Sequence, residues 1–546
     1  MDLGRKGFRR SGIRCLSLLS ALVCTGGAAG TSVLTYHYDN ARTGQNLAET
    51  VLTLQNVNAA RFGKLFSHSV DGDIYAEPLY VPDLTLPGKG THDVVFVATQ
   101  ADSVYAFDAD DDAGRDAQPL WHARLIDSQH GAPPGATAVD ASLDLKCGAI
   151  LPQVGITATP VIDPTTATMY VEAMSKENGS AVHRLHALDI RTGAERRGAP
   201  VLVEAQLPAH GAHTLVFDPL RQLSRPGLLL QDGVLSLAYG SHCDRAPYHG
   251  WILAYDAASL LPKGAFVTAP EHGKAGIWMS GAGLAADAPG NLYVAAGDGW
   301  FDTRAVPARE LGNTVVKLGL RSQALTLLDY FTPFDQARFA RHDGDLGSGG
   351  ILLVPEQPGE HRHLLLAAGK AGTVYLLDRD QLTAGDLHYC KGCASDRQIV
   401  QELTGAIAGG VWGMPAYWDH TVYFSGSDDV TRAFSLRNGK LDPTPRSTSG
   451  DTCEYPGCGL SVSANGAQQG IVWALEARSG DGGSRAVLKA YDARNLQRLL
   501  YSSDQHGTRD DPGAAVKFVV PTVANGKVYV AGSRRVTVYG LLGRSH

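Results

Sequence analysis

"DSVYAFDA", residues Asp102 to Ala109, alternates apolar with small or polar side chains and ends at an aspartate. Near-copies return as "HRLHALDI" at His183–Ile190, "WILAYDA" at Trp251–Ala257, "TVYLLDRD" at Thr373–Asp380 and "VLKAYDA" at Val487–Ala493. A strand that recurs in this way belongs to a unit that buries its apolar faces only against neighbouring copies of itself. Each copy sits in a frame. A first strand such as "AEPLYV" (Ala76–Val81), "ATPVID" (Ala158–Asp163) or "RPGLLL" (Arg225–Leu230) precedes a second such as "DVVFVATQ" (Asp93–Gln100) or "HLLLAAGK" (His363–Lys370). The repeated stretch comes third, and a segment such as "PLWHARL" (Pro119–Leu125) or "RLLYSSD" (Arg498–Asp504) follows it. Short β-branched and aromatic runs punctuated by Gly, Asn, Asp and Pro predict up-and-down hairpins, so one frame is a four-stranded antiparallel sheet. About eight third strands follow one another, the last being "VTVYGL" at Val536–Leu541. The predicted fold is all-β, an eight-bladed β-propeller. The last frame ends too soon for its own fourth strand, and "GKLFSHSV" (Gly63–Val70) is expected to supply it, closing the ring and removing an exposed edge. The recurring aspartate is expected to form turns. Helical periodicity is confined to "TLQNVNAARFG" (Thr53–Gly63).

With 44% hydrophobic and 19% charged residues among 546, the chain has material for a large core, and 63 scattered glycines imply many tight turns. A net charge of -7 without a clustered basic surface excludes nucleic acid as the expected partner. The basic start "MDLGRKGFRRSGIR", the short apolar run "CLSLLSALVC" and the small residues after it read as a signal peptide over residues 1–30. Residues 31–546 are then one propeller, exported to a periplasm or secreted, and no later run is long enough for a membrane helix. Loss of the leader removes Cys15 and Cys24 and leaves Cys147, Cys243, Cys390, Cys393, Cys453 and Cys458, an even number for an oxidising compartment. Cys390 and Cys393, with His388 nearby, are open to a disulfide or a metal site. A structural zinc would lack ligands there, which favours the disulfide.

In a propeller, the turn entering each inner strand and the turn between the second and third strands share one face and converge on a central funnel. Cys147 and Cys243 fall in such turns of adjacent blades and are expected to pair. Cys453 and Cys458 staple a loop on the same face. The same rule selects His242, Asp244, Tyr248 and His249 in blade 3, then Trp278, Asp298, Trp300 and Asp302 in blade 4. Blade 5 contributes Asp343, Asp345 and Lys370, blade 6 Trp412 and blade 8 Lys517. As expectations, Asp298 and Asp343 serve as catalytic acid–base groups. His242, His249, Trp278, Lys370, Trp412 and Lys517 hold a polar planar ligand, and Asp302 and Asp345 ligate a hard cation. Each residue also has a plain structural role open to it, as a turn former, a packing side chain or part of a wet channel.

The segment from Ala158 to Gly193, with "ATPVID" and "LHALDIRTG", resembles the repeat of the quinoprotein dehydrogenases, and "YDNARTGQN" with "LTLQNVNAARFGKLF" is similar to the start of those mature enzymes. The resemblance covers nearly all of the mature chain. It implies an eight-bladed propeller holding pyrroloquinoline quinone and calcium in the funnel and oxidising an alcohol or a sugar. The chain departs from that family in its docking tryptophans, clear only at Trp121, and in having neither adjacent cysteines nor a C-x-x-C-H haem motif. The alternative is a non-enzymatic propeller of the envelope or the medium, binding a saccharide, a peptide or a protein partner.

Overall fold

Why the third strand of each frame recurs is clear from its surroundings in the computed structural model, which describes residues 1–2, 30–111, 118–208, 214–302, 309–322, 324–478 and 484–543. The expected leader falls mainly on 3–29, outside the described residues. Ser103–Asp108 is buried from Ser103 to Phe107 and lies third in the sheet Leu79–Leu86, Gly90–Thr99, Ser103–Asp108, Trp121–Arg124. Its alternating side chains meet the sheets on either side, so both faces are apolar. Seven further sheets repeat the plan, all antiparallel in their main ladders, and the fold is an eight-bladed all-β propeller. A two-stranded hairpin, Gln206–Pro208 with Thr214–Val216, stands outside the blades.

The ring closes as the sequence predicts. Phe62–Asp73 pairs antiparallel with Lys527–Leu541, in the register Phe62 opposite Leu541 and Phe66 opposite Val538. The turn aspartates are turn formers. The carboxylates of Asp108, Asp189, Asp378 and Asp492 each accept the backbone N–H two residues on at 2.9 Å, and Asp256 accepts that of Ser259 at 3.0 Å. Trp121 ties blade 1 to blade 2. Its Nε1 donates to the Ile190 carbonyl at 2.8 Å, and its ring lies where a Cβ on Gly193 would come within 2.6 Å.

The predicted helical stretch from Thr53 is instead a run of turns, held by the Asn56 side chain accepting Thr53 N–H at 2.7 Å. Local Asn hydrogen bonds compete there with the helix ladder. Among the described residues the α-helix is Gln336–His342, and no helix is long and apolar enough to cross a membrane.

Residues 33–46 run along the axis and reach the innermost strand of every blade in turn. Val33 exchanges two backbone hydrogen bonds with Tyr80 of blade 1, and Leu34 accepts from Ile162 of blade 2. The Asn40 amide donates to Leu230 of blade 3, and the carbonyls of Asn40, Ala41, Thr43 and Gly44 accept from Ala286, Leu353, Tyr417 and Val462 of blades 4 to 7. Asn46 closes the circuit on Val523 of blade 8 at 3.0 Å. This segment is an axle: inner-strand edges that face only one another across the axis find their backbone partners on it.

All six described cysteines are paired, as Cys147–Cys243, Cys390–Cys393 and Cys453–Cys458. The first links blades 2 and 3 and spans 96 residues. Replacing both of its cysteines by serine is expected to lower stability by about 2–4 kcal/mol, through the freed unfolded chain. Denaturant unfolding of the double variant would show this, and an unchanged midpoint would refute it.

Candidate functional site

The turns on one face of the ring enclose a cavity of about 640 Å³. From blade 3 it is lined by His242, Asp244 and Tyr248, and from blade 4 by Trp278 and Asp298. Asp343, Asp345 and Lys370 of blade 5, Trp412 of blade 6 and Lys517 of blade 8, also selected by the turn rule, line it too, whereas Trp300 does not. His249 and Asp302 do not line it. The His249 ring donates from Nδ1 to the Ala269 carbonyl at 2.7 Å and is half-buried beside the cavity wall. The Trp300 ring is 58% exposed and stacks on His272 at 5.3 Å.

Three glycines leave room for the Trp278 indole. A Cβ on Gly240, Gly276 or Gly297 would come within 2.5, 2.7 or 2.6 Å of the indole. Its Nε1 donates to the Ser241 carbonyl at 2.9 Å, which fixes the ring plane. The Cβ position of Gly297 would also stand 2.6 Å from Oδ1 of Asp345, so the carboxylate and the indole converge on one point of the floor.

Two aspartates separated by one glycine differ sharply in environment. The Asp343 side chain is 77% exposed and receives the Lys370 ammonium at 2.5 Å. Asp345 is buried, its Oδ2 is 3.4 Å from Lys370 Nζ, and its Oδ1 has no hydrogen-bond partner. Burial pushes the Asp345 carboxyl up to about 7, against the pull of Lys370. Burial also raises Asp298, which Asn313 restrains by donating Nδ2 to its Oδ1 at 2.8 Å while Asn313 Oδ1 accepts the Leu346 N–H at 2.9 Å. Desolvation alone would lower Lys370. Its two carboxylates outweigh that and raise it, so it stays a cation. Burial drives His242 down to about 3, leaving a neutral imidazole that donates Nε2–H to the Gln222 carbonyl at 3.1 Å.

Strained backbone gathers on this wall. Cys243, Asp244, Lys274, Ser280, Asp343 and Phe518 line the cavity and all hold positive φ, for Phe518 as much as 70°. Among the described residues, no three His, Cys, Asp or Glu side chains converge to hold a metal ion. Lys370 already compensates the blade 5 carboxylates, and Asp302 is not brought to Asp345. The protein's own donors therefore do not fit a calcium ion. Sequence reasoning missed Arg225, Tyr75 and Phe518 on the same floor. Arg225 begins the inner strand of blade 3, a position on the funnel face by the same turn rule, and its charge ahead of "PGLLL" was the available signal.

In overall architecture the chain matches a quinohemoprotein alcohol dehydrogenase of Comamonas testosteroni, with a TM-score of 0.58 and 15% identity over 94% of this chain and 81% of that one. The fold is that of the quinoprotein dehydrogenases. A quinohemoprotein alcohol dehydrogenase of Pseudomonas putida gives a TM-score of 0.55 and 15% identity over the same shares, 94% and 81%. A europium-containing methanol dehydrogenase gives 0.56 and 12% identity over 94% and 98%. At these identities the quinoprotein likeness is one of fold. No protein-family model and no curated protein matches the sequence.

Proposed function

We propose that the protein is an exported oxidoreductase that holds pyrroloquinoline quinone in the funnel and oxidises an alcohol or a sugar, with Asp345 as general base. The observation that carries this reading is the Asp345 carboxylate: buried in the cavity wall, with Oδ1 unpartnered where it converges with the Trp278 indole on Gly297. The volume of about 640 Å³, the Trp278 indole and the cations Lys517 and Arg225 fit a planar polyanion. When bound, the quinone would supply the acceptor for the two electrons and the hydrogen leaving the carbinol carbon as hydride. Asp345 takes the hydroxyl proton at Oδ1. Lys370 offsets the charge of its carboxylate, and Asn313 holds Asp298 against the same turn. The catalytic role expected of Asp343 thus passes to Asp345, because the Asp343 carboxylate faces solvent and is already engaged by the Lys370 ammonium, whereas Asp345 is desolvated and keeps an unpartnered oxygen. The three disulfides support export, since such bonds persist in oxidising compartments.

Titrating the purified mature protein with pyrroloquinoline quinone, with and without calcium, tests this. Saturable one-to-one quenching of tryptophan fluorescence, together with dye reduction that depends on an added alcohol or sugar, is expected. No saturable uptake under either condition would overturn the enzyme reading and leave the propeller as a binding module.

A further inference from the structure

Arg225 is a buried cation with no anion. It is 5% exposed, and its side chain lines the cavity floor. Nη1 donates to the Thr157 carbonyl at 3.0 Å, whereas Nη2 is buried with no acceptor. Its titratable neighbours are the Tyr75 and Tyr36 hydroxyls, both pushed up by burial and uncharged at neutral pH, with no carboxylate among them, and although burial lowers Arg225 to about 10 it remains charged there. Its Cζ stands 5.3 Å from the Tyr75 ring centroid and 5.6 Å from that of Phe518. Phe518 keeps that contact from a φ of 70°, a region bulky side chains rarely occupy. At Gly281 a Cβ would come within 2.6 Å of Nη1, so only glycine admits the guanidinium there.

An isolated guanidinium out of water is costly unless a counter-charge completes it. Lys370, across the floor, already has two carboxylates; Arg225 has none. A fold that retains such a cation, with a strained aromatic and a glycine shaped around it, is organised for a negative group arriving from solution. The planar fork of arginine matches a carboxylate.

We propose that Arg225 is the anion-binding residue of a subsite on the funnel floor and receives a carboxylate of the molecule that enters the cavity. The carboxylate belongs either to the cofactor or to a carboxylic-acid substrate. The subsite extends the oxidation reading and does not depend on it.

The test titrates the mature protein and its Arg225→Met variant, at constant ionic strength set with chloride, with malonate, with pyrroloquinoline quinone and with the quinone trimethyl ester. Malonate is expected to raise the melting temperature of the parent saturably, and the variant to lose at least about tenfold in affinity. A quinone affinity that falls by a similar factor in the variant, with the ester indifferent to the substitution, assigns the subsite to the cofactor. Quinone affinity unchanged beside a lost malonate response assigns it to the substrate. Malonate bound by the parent with no quinone uptake at all would sink the oxidation reading alone. Arg225→Met should melt within a few degrees of the parent or above it, since it removes an uncompensated charge. If it does not fold, Arg225→Lys, which keeps the charge and loses the fork, should fold and bind malonate more weakly. No malonate response in the parent, or equal responses in parent and variants, overturns the proposal.

Discussion

Asp345→Asn is expected to lower substrate-dependent dye reduction by about 10²–10⁴-fold, the usual contribution of a positioned general base, while quinone uptake persists. An amide is nearly isosteric but cannot accept the hydroxyl proton. Because Asp345 titrates near 7, the parent's turnover should fall as pH drops below that value, and this limb should be missing from the residual activity of the variant. A second readout needs no activity. Folded Asp345 keeps its proton up to about pH 7, whereas the unfolded chain releases it near its ordinary value of 3.8. Between those values the folded state binds the extra proton, so the contribution of this group to stability is fully present below the lower value and lost as pH rises through the upper one. At pH 8 the asparagine variant should be the more stable protein, by at most about 4 kcal/mol, and the advantage should vanish by pH 3. Equal stability of the two proteins at pH 8 would show that the carboxylate is not desolvated, and the role assigned to it would fail with that.

The second large effect lies on the axle. Arg42 is fully buried and satisfied at every nitrogen: Nε donates to the Leu284 carbonyl at 2.7 Å, Nη1 to the Tyr36 carbonyl at 2.7 Å and to Thr35 Oγ1 at 2.8 Å, and Nη2 to the Leu228 carbonyl at 3.3 Å. Arg42→Met would leave those acceptors buried and unpaired between blades 3 and 4. A loss of about 3–5 kcal/mol follows, read from denaturant midpoints. The contrast with Arg225→Met is the point of the measurement. Both residues are buried arginines, but Arg42 has the Asp39 and Glu77 carboxylates nearby and spends its donors on protein acceptors, whereas Arg225 has no carboxylate acting on it and keeps a free donor. Equal stability changes in the two variants would contradict both assignments.

Much of the architecture is legible in the chain because a repeating unit states its own boundaries. The aspartate at the end of each third strand marks a turn by local hydrogen bonding, which needs no tertiary context. Cys147 and Cys243 could be paired because the blade plan alone sets which turns share a face. The candidate site was legible to the same depth: Trp278, Asp298, Asp343, Asp345 and Lys370 do meet in one cavity. Their division of labour was not. Asp343 and Asp345 look alike in "DGDLG", yet one carboxylate reaches solvent and the other is buried beside Trp278, a difference of desolvation that no spacing encodes. His249 fits the turn rule as well as His242 does, but a carbonyl one connection away claims its ring.

By itself, the order of residues determined the four-strand frame, its eightfold recurrence and the N-terminal strand that completes the ring, because each follows from alternation and turn chemistry within a few tens of residues. Only the tertiary structure decided that residues 33–46, ending in "YDNARTGQN", become an axle touching all eight inner strands, and that Asp345 and Arg225 carry unspent hydrogen-bonding capacity into one chamber. Burial and the supply of partners are properties of the closed ring, created when segments hundreds of residues apart exclude water from one another.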